Sequence, residues 1–412
     1  MASAKLWRRF IRALEVEDHR GHEAQISFTE SFLSNDDLLP VPVGKRTWAA
    51  WNFVSFWVAD SFNINTWMIA SSMIQLGLSW WQAWICVWIG YGITAPFLVL
   101  NARPGAVFHI TFPVVARASF GLWGSLWCVL NRAAMACIWY GVQASIGGDC
   151  VLVMLRAMWP SVNNIPNSMP ESSGTNTRDF MCFLLFWIIS LPAIWLPIHK
   201  VRHLFTVKAI VVPIAGIMFF IWCIVKARGV GPIVHQPAQI HGSQLGWAIV
   251  VWFIAVAFII AQMGTNLTAN SVSAGCDLTA LFPRFINIRR GGYIAAIVGL
   301  CMLPWNLLKS SNNFTTYLSA YAVFLSSIAG VMLADYYVVH KGQYCVSDLY
   351  DAKKDGWYYY TYGFNIRIFP ARGAAKKFEE VDLSAYAANE PDAYYDHNND
   401  MKNHVDGIQL SV

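Results

Sequence analysis

Three groups of residues in this chain have types and spacings suited to chemistry, and all three lie inside apolar stretches. The first is Asp60-Ser61-Phe62-Asn63-Ile64-Asn65. In hydrocarbon a carboxylate and two carboxamides are costly unless they face protein or a wet cavity, so the group reads as lining a site. Its chemistry is hydrogen bonding and cation holding, because carboxylate oxygens accept while carboxamides donate and accept. Buried polar residues bonded between helices would look the same. The second group is Trp139 and Gln143, four residues apart on one helix face. An indole wall beside an amide matches a flat heterocycle with amide-like edges, although a packed helix interface gives the same spacing. The third is the run Ala261-Gln262-Met263-Gly264-Thr265-Asn266-Leu267-Thr268-Ala269-Asn270-Ser271. Its small residues allow close backbone approach, and its hydroxyls and amides offer oxygens to Na⁺ or a polar solute.

The elements that must position these groups are membrane helices. Thr47 to Leu78 is longer than the roughly 20 residues that span a bilayer core, and its apolar flanks enclose the Asp60–Asn65 group near the midplane. A helix interrupted there frees backbone N–H and C=O groups for a solute or ion, as in many secondary transporters. The chain is 56% hydrophobic and only 13% charged, against roughly 25% charged in soluble domains, which makes it an all-α polytopic membrane protein. Its formal charge of +5 sits in loops and does not point to nucleic acid. The nine cysteines have no metal-ligand spacing and read as small core residues. No HExxH, GxSxG or phosphate-binding glycine loop occurs, so neither an enzyme nor a cofactor is expected.

Charge sets the orientation. Lys5, Arg8, Arg9, Arg12, Lys45 and Arg46 precede the first span and place the N-terminus in the cytosol, with the first span inserting as an internal anchor. Further spans are read at Trp80–Leu100, Ser125–Leu155, Met181–Ile198, Val207–Val225, Leu245–Ser273, Tyr293–Leu308 and Phe314–Val339. The loops at Asn101–Gly124, His199–Lys208 and Gly275–Gly292 carry the cytosolic charges. That makes eight spans, with a cytosolic segment at 1–46, a transmembrane domain at 47–340 and a cytosolic tail at 341–412. The acidic stretch from Glu379 onward reads as disordered.

Six motifs resemble fungal uracil, uridine and allantoin permeases of the nucleobase:cation symporter-1 family. They are FVSFWVADSFNINTW (Phe53–Trp67), LNARPG (Leu100–Gly105), WYGVQASIGG (Trp139–Gly148), GTNLTANSVSAG (Gly264–Gly275), PWNLL (Pro304–Leu308) and YLSAYAVFLSSIAGVMLAD (Tyr317–Asp335). The resemblance covers about residues 28–363. It implies a fold of two inverted five-helix repeats within twelve spans, and proton-coupled import at the plasma membrane. Carried over by motif, Trp139 resembles the stacking tryptophan, and Gln143 and Asn270 resemble the hydrogen-bonding amides. Ala59, Phe62, Ala261, Gly264 and Thr265 fall where sodium-coupled relatives hold their cation, and Asp60 and Asn63 flank the break. Gly264 has no side-chain oxygen, which suits H⁺ better than Na⁺ as the coupling ion.

The chain departs from the family in two places. After Gly246-Trp247-Ala248 it passes from Val251-Trp252 directly into a stretch resembling the eighth helix, so the sixth and seventh are missing from the pattern. Near Asn365 it passes to a stretch resembling the tail, without the eleventh and twelfth. The expected fold is thus an incomplete five-plus-five inverted repeat. The expected partners are a nucleobase or ureide substrate, the bilayer and further copies of the chain in a homo-oligomer. Two functions follow: a permease for a uracil-like or allantoin-like solute, or a truncated remnant or gene-model fragment that does not transport.

Overall fold

The computed structural model describes residues 15–16, 28–64, 66–68, 71, 80–196, 198–229, 270–308 and 325–366. Ala261, Gly264 and Thr265, the stretch expected to form the span from Leu245, and the tail from Glu379 lie outside the described residues. The first helices are α1 (Phe28–Leu33), α2 (Ala50–Ser61), α3 (Trp80–Phe108) and α4 (Phe112–Phe120). They are followed by α5 (Ser125–Met158), α6 (Thr177–Ile194), α7 (Ile198–Ala227), α8 (Ser273–Leu281), α9 (Ile288–Cys301) and α10 (Trp305–Leu308). A π-helical turn at Ala334–Val339 ends the helix that is described from Leu325. Among the described residues, α5, α6 and α7 are long and apolar enough to cross a membrane. The pair α3 and α4, bent by 104°, makes a fourth such unit.

The central element is α5, which packs against α6, α8 and α9. Glycines bring these helices together. At Gly141 of α5 a Cβ would come within 2.6 Å of the Gly299 carbonyl oxygen of α9, and at Gly148 within 2.7 Å of the Phe183 backbone of α6. Such close approach is how membrane helices gain packing where lipid removes the hydrophobic drive between them. Polar contacts pin the same faces: Tyr140 Oη lies 2.8 Å from Ser190 Oγ, and Trp187 Nε1 donates to the Ala296 carbonyl at 2.8 Å. Arg132 of α5 clasps Asp277 of α8 through two bonds of 2.6 and 2.7 Å.

Helical structure extends into regions read as loops. The apolar pattern of α3 runs on to Phe108 through Pro96 and Pro104, and the end of α3 and α4 together occupy most of Asn101–Gly124. The cytosolic turn expected at His199–Lys208 belongs to α7, whose buried stripe is Val201, Phe205, Lys208, Val212 and Ala215. That stripe follows the three-and-four spacing of one helix face, which carries the helix through the charged stretch.

On the side read as cytosolic, both ends of the described chain fasten to α4. Arg117 is 2% exposed and donates to the carbonyls of Phe32, Leu33 and Leu349, at 3.3, 2.8 and 2.8 Å. Tyr350 Oη donates to the Leu38 carbonyl and Tyr360 Oη to that of Ala118. Asp37 accepts the Ile288 N–H at 3.0 Å, and burial pushes its carboxyl above the usual range. Replacing Arg117 by Met strands three buried carbonyls and should cost about 3 kcal/mol of stability. A thermal melt of the detergent-purified protein checks this; an unchanged melt would mean that the guanidinium holds nothing.

Candidate functional site at the broken helix

The first span breaks where its polar residues cluster. The Phe62 N–H makes the last helical bond, to Val58, and the Phe62 backbone then leaves the helix at φ −78° and ψ 81°. The Asn63 N–H turns to the Ser61 carbonyl at 3.0 Å, so the Ala59 carbonyl loses its i+4 donor. Thr66 Oγ1 also donates to the Ser61 carbonyl, and helical structure resumes at Ile64. The break therefore leaves carbonyl groups at the C-terminal end of α2, where the helix dipole is negative. Ala59 and Asn63 are buried, Asp60 is half-buried, and the Phe62 ring is 41% exposed, so any contribution of Phe62 to an ion would come from its backbone.

Facing the break is one stripe of α5. Trp139, Val142 and Ile146 pack with Ile64 and Met68 of the resumed helix and with Leu307 and Leu308. Gln143 shares that stripe by its three- and four-residue spacing from Trp139 and Ile146. Below the break, Ala59 packs in a cluster with Tyr140, Ile194, Phe205 and Ala296. The structure thus brings Trp139 and Gln143 to the same region as Ala59 and Asn63. Asn270 is 6% exposed and opens a π-helical turn before α8, the next helix against α5.

The Gln143 side chain is 3% exposed, and among the described residues no donor reaches its Oε1. An unmet buried acceptor costs roughly 1–3 kcal/mol, so it asks for an explanation, and a ligand N–H supplies one. Farther along α5, Ser145 and Asp149 line a cavity of about 540 Å³ together with Asn167, Asp179, Phe183 and Trp305. Sequence reasoning did not single out this cavity, because four of those six residues come from the connecting segment and neighbouring helices. Nor did it find Lys208, 1% exposed on α7, the helix that packs against α2. Its register among Val201, Phe205, Val212 and Ala215 was the available signal.

The fold is similar to that of a nucleobase-cation-symport-1 family transporter solved in a closed conformation with bromovinylhydantoin bound. The TM-score is 0.63 at 20% identity, covering 81% of this chain and 87% of that one. The chain shares that fold, with an interrupted first helix packed on a glycine-seamed bundle. The chain belongs to the permease family for cytosine/purines, uracil, thiamine and allantoin, whose sequence profile matches residues 40–252 and 243–375. It is 43% identical to an uncharacterized permease of Schizosaccharomyces pombe over 450 aligned positions, covering 88% of this chain and 75% of that protein. It is 37% identical to the uracil permease of Saccharomyces cerevisiae and 38% identical to that yeast's allantoin permease. Each alignment covers 84% of this chain and 69% of the relative. These alignments are longer than the 412-residue chain, so the relatives carry residues with no counterpart here.

An amide kept unpaired for a solute is a stability defect in the empty protein. Gln143→Leu, close in size and without polar atoms, should raise the unfolding free energy by about 1 kcal/mol. A lowered melting temperature would show instead that the amide supports the resting fold.

Proposed function

We propose that this permease imports a small planar amide of the uracil, uridine or allantoin type across the plasma membrane by cation symport, with H⁺ as the coupling ion. The unmet Gln143 acceptor beside Trp139 carries this reading. A ring stacked on the indole can present its N–H to Oε1 while its carbonyl accepts from an amide N–H, and Asn63 and Asn270 are the buried amides suited to that second role. The released Ala59 carbonyl and the Asp60 carboxylate form the cation-coupling side of the site. Phe62 joins them through its backbone, and Ala261, Gly264 and Thr265, outside the described residues, are assigned to the same coupling role by their motif alone. The yeast relatives named for uracil and allantoin support the substrate class.

A second reading has its own observation. The family profile matches in two segments that meet at residues 243–252, and relatives carry aligned residues that are missing here. This supports a loss of helices at that junction. A chain without the sixth helix lacks one wall of the pocket, and it would then be a transport-inactive remnant.

Uptake of radiolabelled uracil and allantoin in a permease-null yeast separates the two. The transport reading expects saturable uptake abolished by a protonophore and lost in Gln143→Ala and Trp139→Ala at unchanged surface level. Absence of uptake by the unmodified chain at the cell surface favours the remnant, and full uptake by both variants removes them from the site.

A further inference from the structure

The cavity of about 540 Å³ lies farther along α5 than the broken-helix site. Asp149 on its wall is six residues beyond Gln143, about 9 Å at 1.5 Å per residue, toward the end of α5 that the charge pattern places outside the cell. Ser145 and Asp149 share one helix face by their four-residue spacing. Leu308 borders both regions, since it lines the cavity and also packs with Val142 and Ile146 in the stripe that faces the break. The cavity is thus an antechamber, one side chain removed from that stripe.

Trp305 meets Phe180 and Phe183 edge-on at 5.6 and 5.4 Å, and its indole N–H donates to the Ser173 carbonyl at 3.0 Å, which fixes the ring as an aromatic wall. Every charged residue lining the cavity is acidic: Asp149, Glu171 and Asp179. Asp179 is satisfied within the protein, its two oxygens accepting from Arg178 Nε at 3.0 Å and from Asn176 Nδ2 at 2.6 Å. Asp149 is exposed, and among the described residues no hydrogen bond or ion pair reaches its carboxylate. Ser145 is only 8% exposed, yet among the described residues its hydroxyl has no hydrogen-bond partner either. A buried hydroxyl that lines a cavity without a partner points to a ligand. That ligand is not a metal ion, because among the described residues no group of three acidic, His or Cys side chains is placed to hold one.

A carboxylate only accepts, and it pairs best with two parallel N–H donors, whereas a hydroxyl can donate to a carbonyl. A ureido group carries both complements, with two N–H groups on one side and a carbonyl on the other. In a pyrimidine-dione ring the two N–H groups point apart and cannot pair with one carboxylate. An anionic solute meets three like charges. We propose that the cavity is an outer docking site for a neutral ureide, in which Asp149 accepts the paired N–H groups, Ser145 donates to the carbonyl and Trp305 walls the planar body. The inference deepens the transport reading by naming the ureide among its solutes, and it rests on that reading for its uptake arm alone.

The test places a reporter thiol on the cavity wall, Thr175→Cys, in the full chain in lipid nanodiscs. Its modification by N-ethylmaleimide is followed above the background of the chain's own cysteines. Allantoin at roughly ten times its Kd should slow modification about tenfold, while uracil and the anion orotate at the same concentration leave it unchanged. Protection should persist in Trp139→Ala, which disables the broken-helix site. Asp149→Asn should raise the allantoin concentration needed about tenfold or more, and Ser145→Ala should raise it about threefold to tenfold. Absence of protection by allantoin overturns the inference, as do equal protection by uracil, loss of protection in Trp139→Ala, and protection undiminished in Asp149→Asn. If Asp149→Asn cannot be purified, Ser145→Ala decides, and undiminished protection in it overturns the inference. In uptake, Asp149→Asn should raise the KM for allantoin about tenfold and leave that for uracil unchanged. A wild-type chain without uptake but with the expected protection pattern removes the transport reading and leaves the docking site standing.

Discussion

Hydrocarbon offers no hydrogen bonds, and the break of α2 at Phe62–Asn63 is where this chain meets that constraint most sharply. A backbone that leaves the helix inside a membrane must find partners in the protein. Here part of the debt is met locally, through Asn63 N–H and Thr66 Oγ1 on the Ser61 carbonyl. On either side of the break stand the apolar stripe of α5 and helix α7, which packs against α2. The local irregularity is thus tied to the long-range packing, and neither α5 nor α7 can shift without changing what the break presents.

The rigid part of the molecule explains how such a site stays open. α5, α6, α8 and α9 are seamed by glycines at backbone contact and pinned by Tyr140–Ser190, Trp187–Ala296 and Arg132–Asp277. Against this scaffold, α2 and α7 form a separate pair held by aromatic edges of Trp48, Phe56 and Phe205. Membrane transport needs one group of helices to move relative to another, and the boundary between this pair and the scaffold is made by Ala59, Val201 and Phe205 against Tyr140, Ile194 and Ala296. The Arg117 clasp adds a boundary on the other side, joining the segments before α2 and after the π-turn to α4.

Much of this was legible in the residues. The polar cluster Asp60–Asn65 stands where the first span breaks, and Trp139 with Gln143 identifies one face of α5 by spacing alone. The misreadings share a cause. Windows of charge suggested loops at His199–Lys208 and Asn101–Gly124, yet the first carries part of the buried stripe of α7, and the second holds the end of α3 and all of α4, which is buried from Pro113 to Ser119. Lys208 and Arg117 were read as charges of cytosolic loops, yet both are buried, and the partners of Arg117 are carbonyls distant in sequence. No local pattern reports such partners. The junction near Val251-Trp252 was readable only by resemblance, and the family profile divides at the same place.

The account stands on the break and the α5 stripe enclosing a solute together. An experimental density map of the purified chain in lipid nanodiscs with uracil or allantoin tests that directly. The expected result is ligand density between Phe62–Asn63 and Trp139, with the Gln143 amide on the ligand's amide edge. Density elsewhere, or Gln143 hydrogen-bonded to a neighbouring helix with the ligand present, would contradict it.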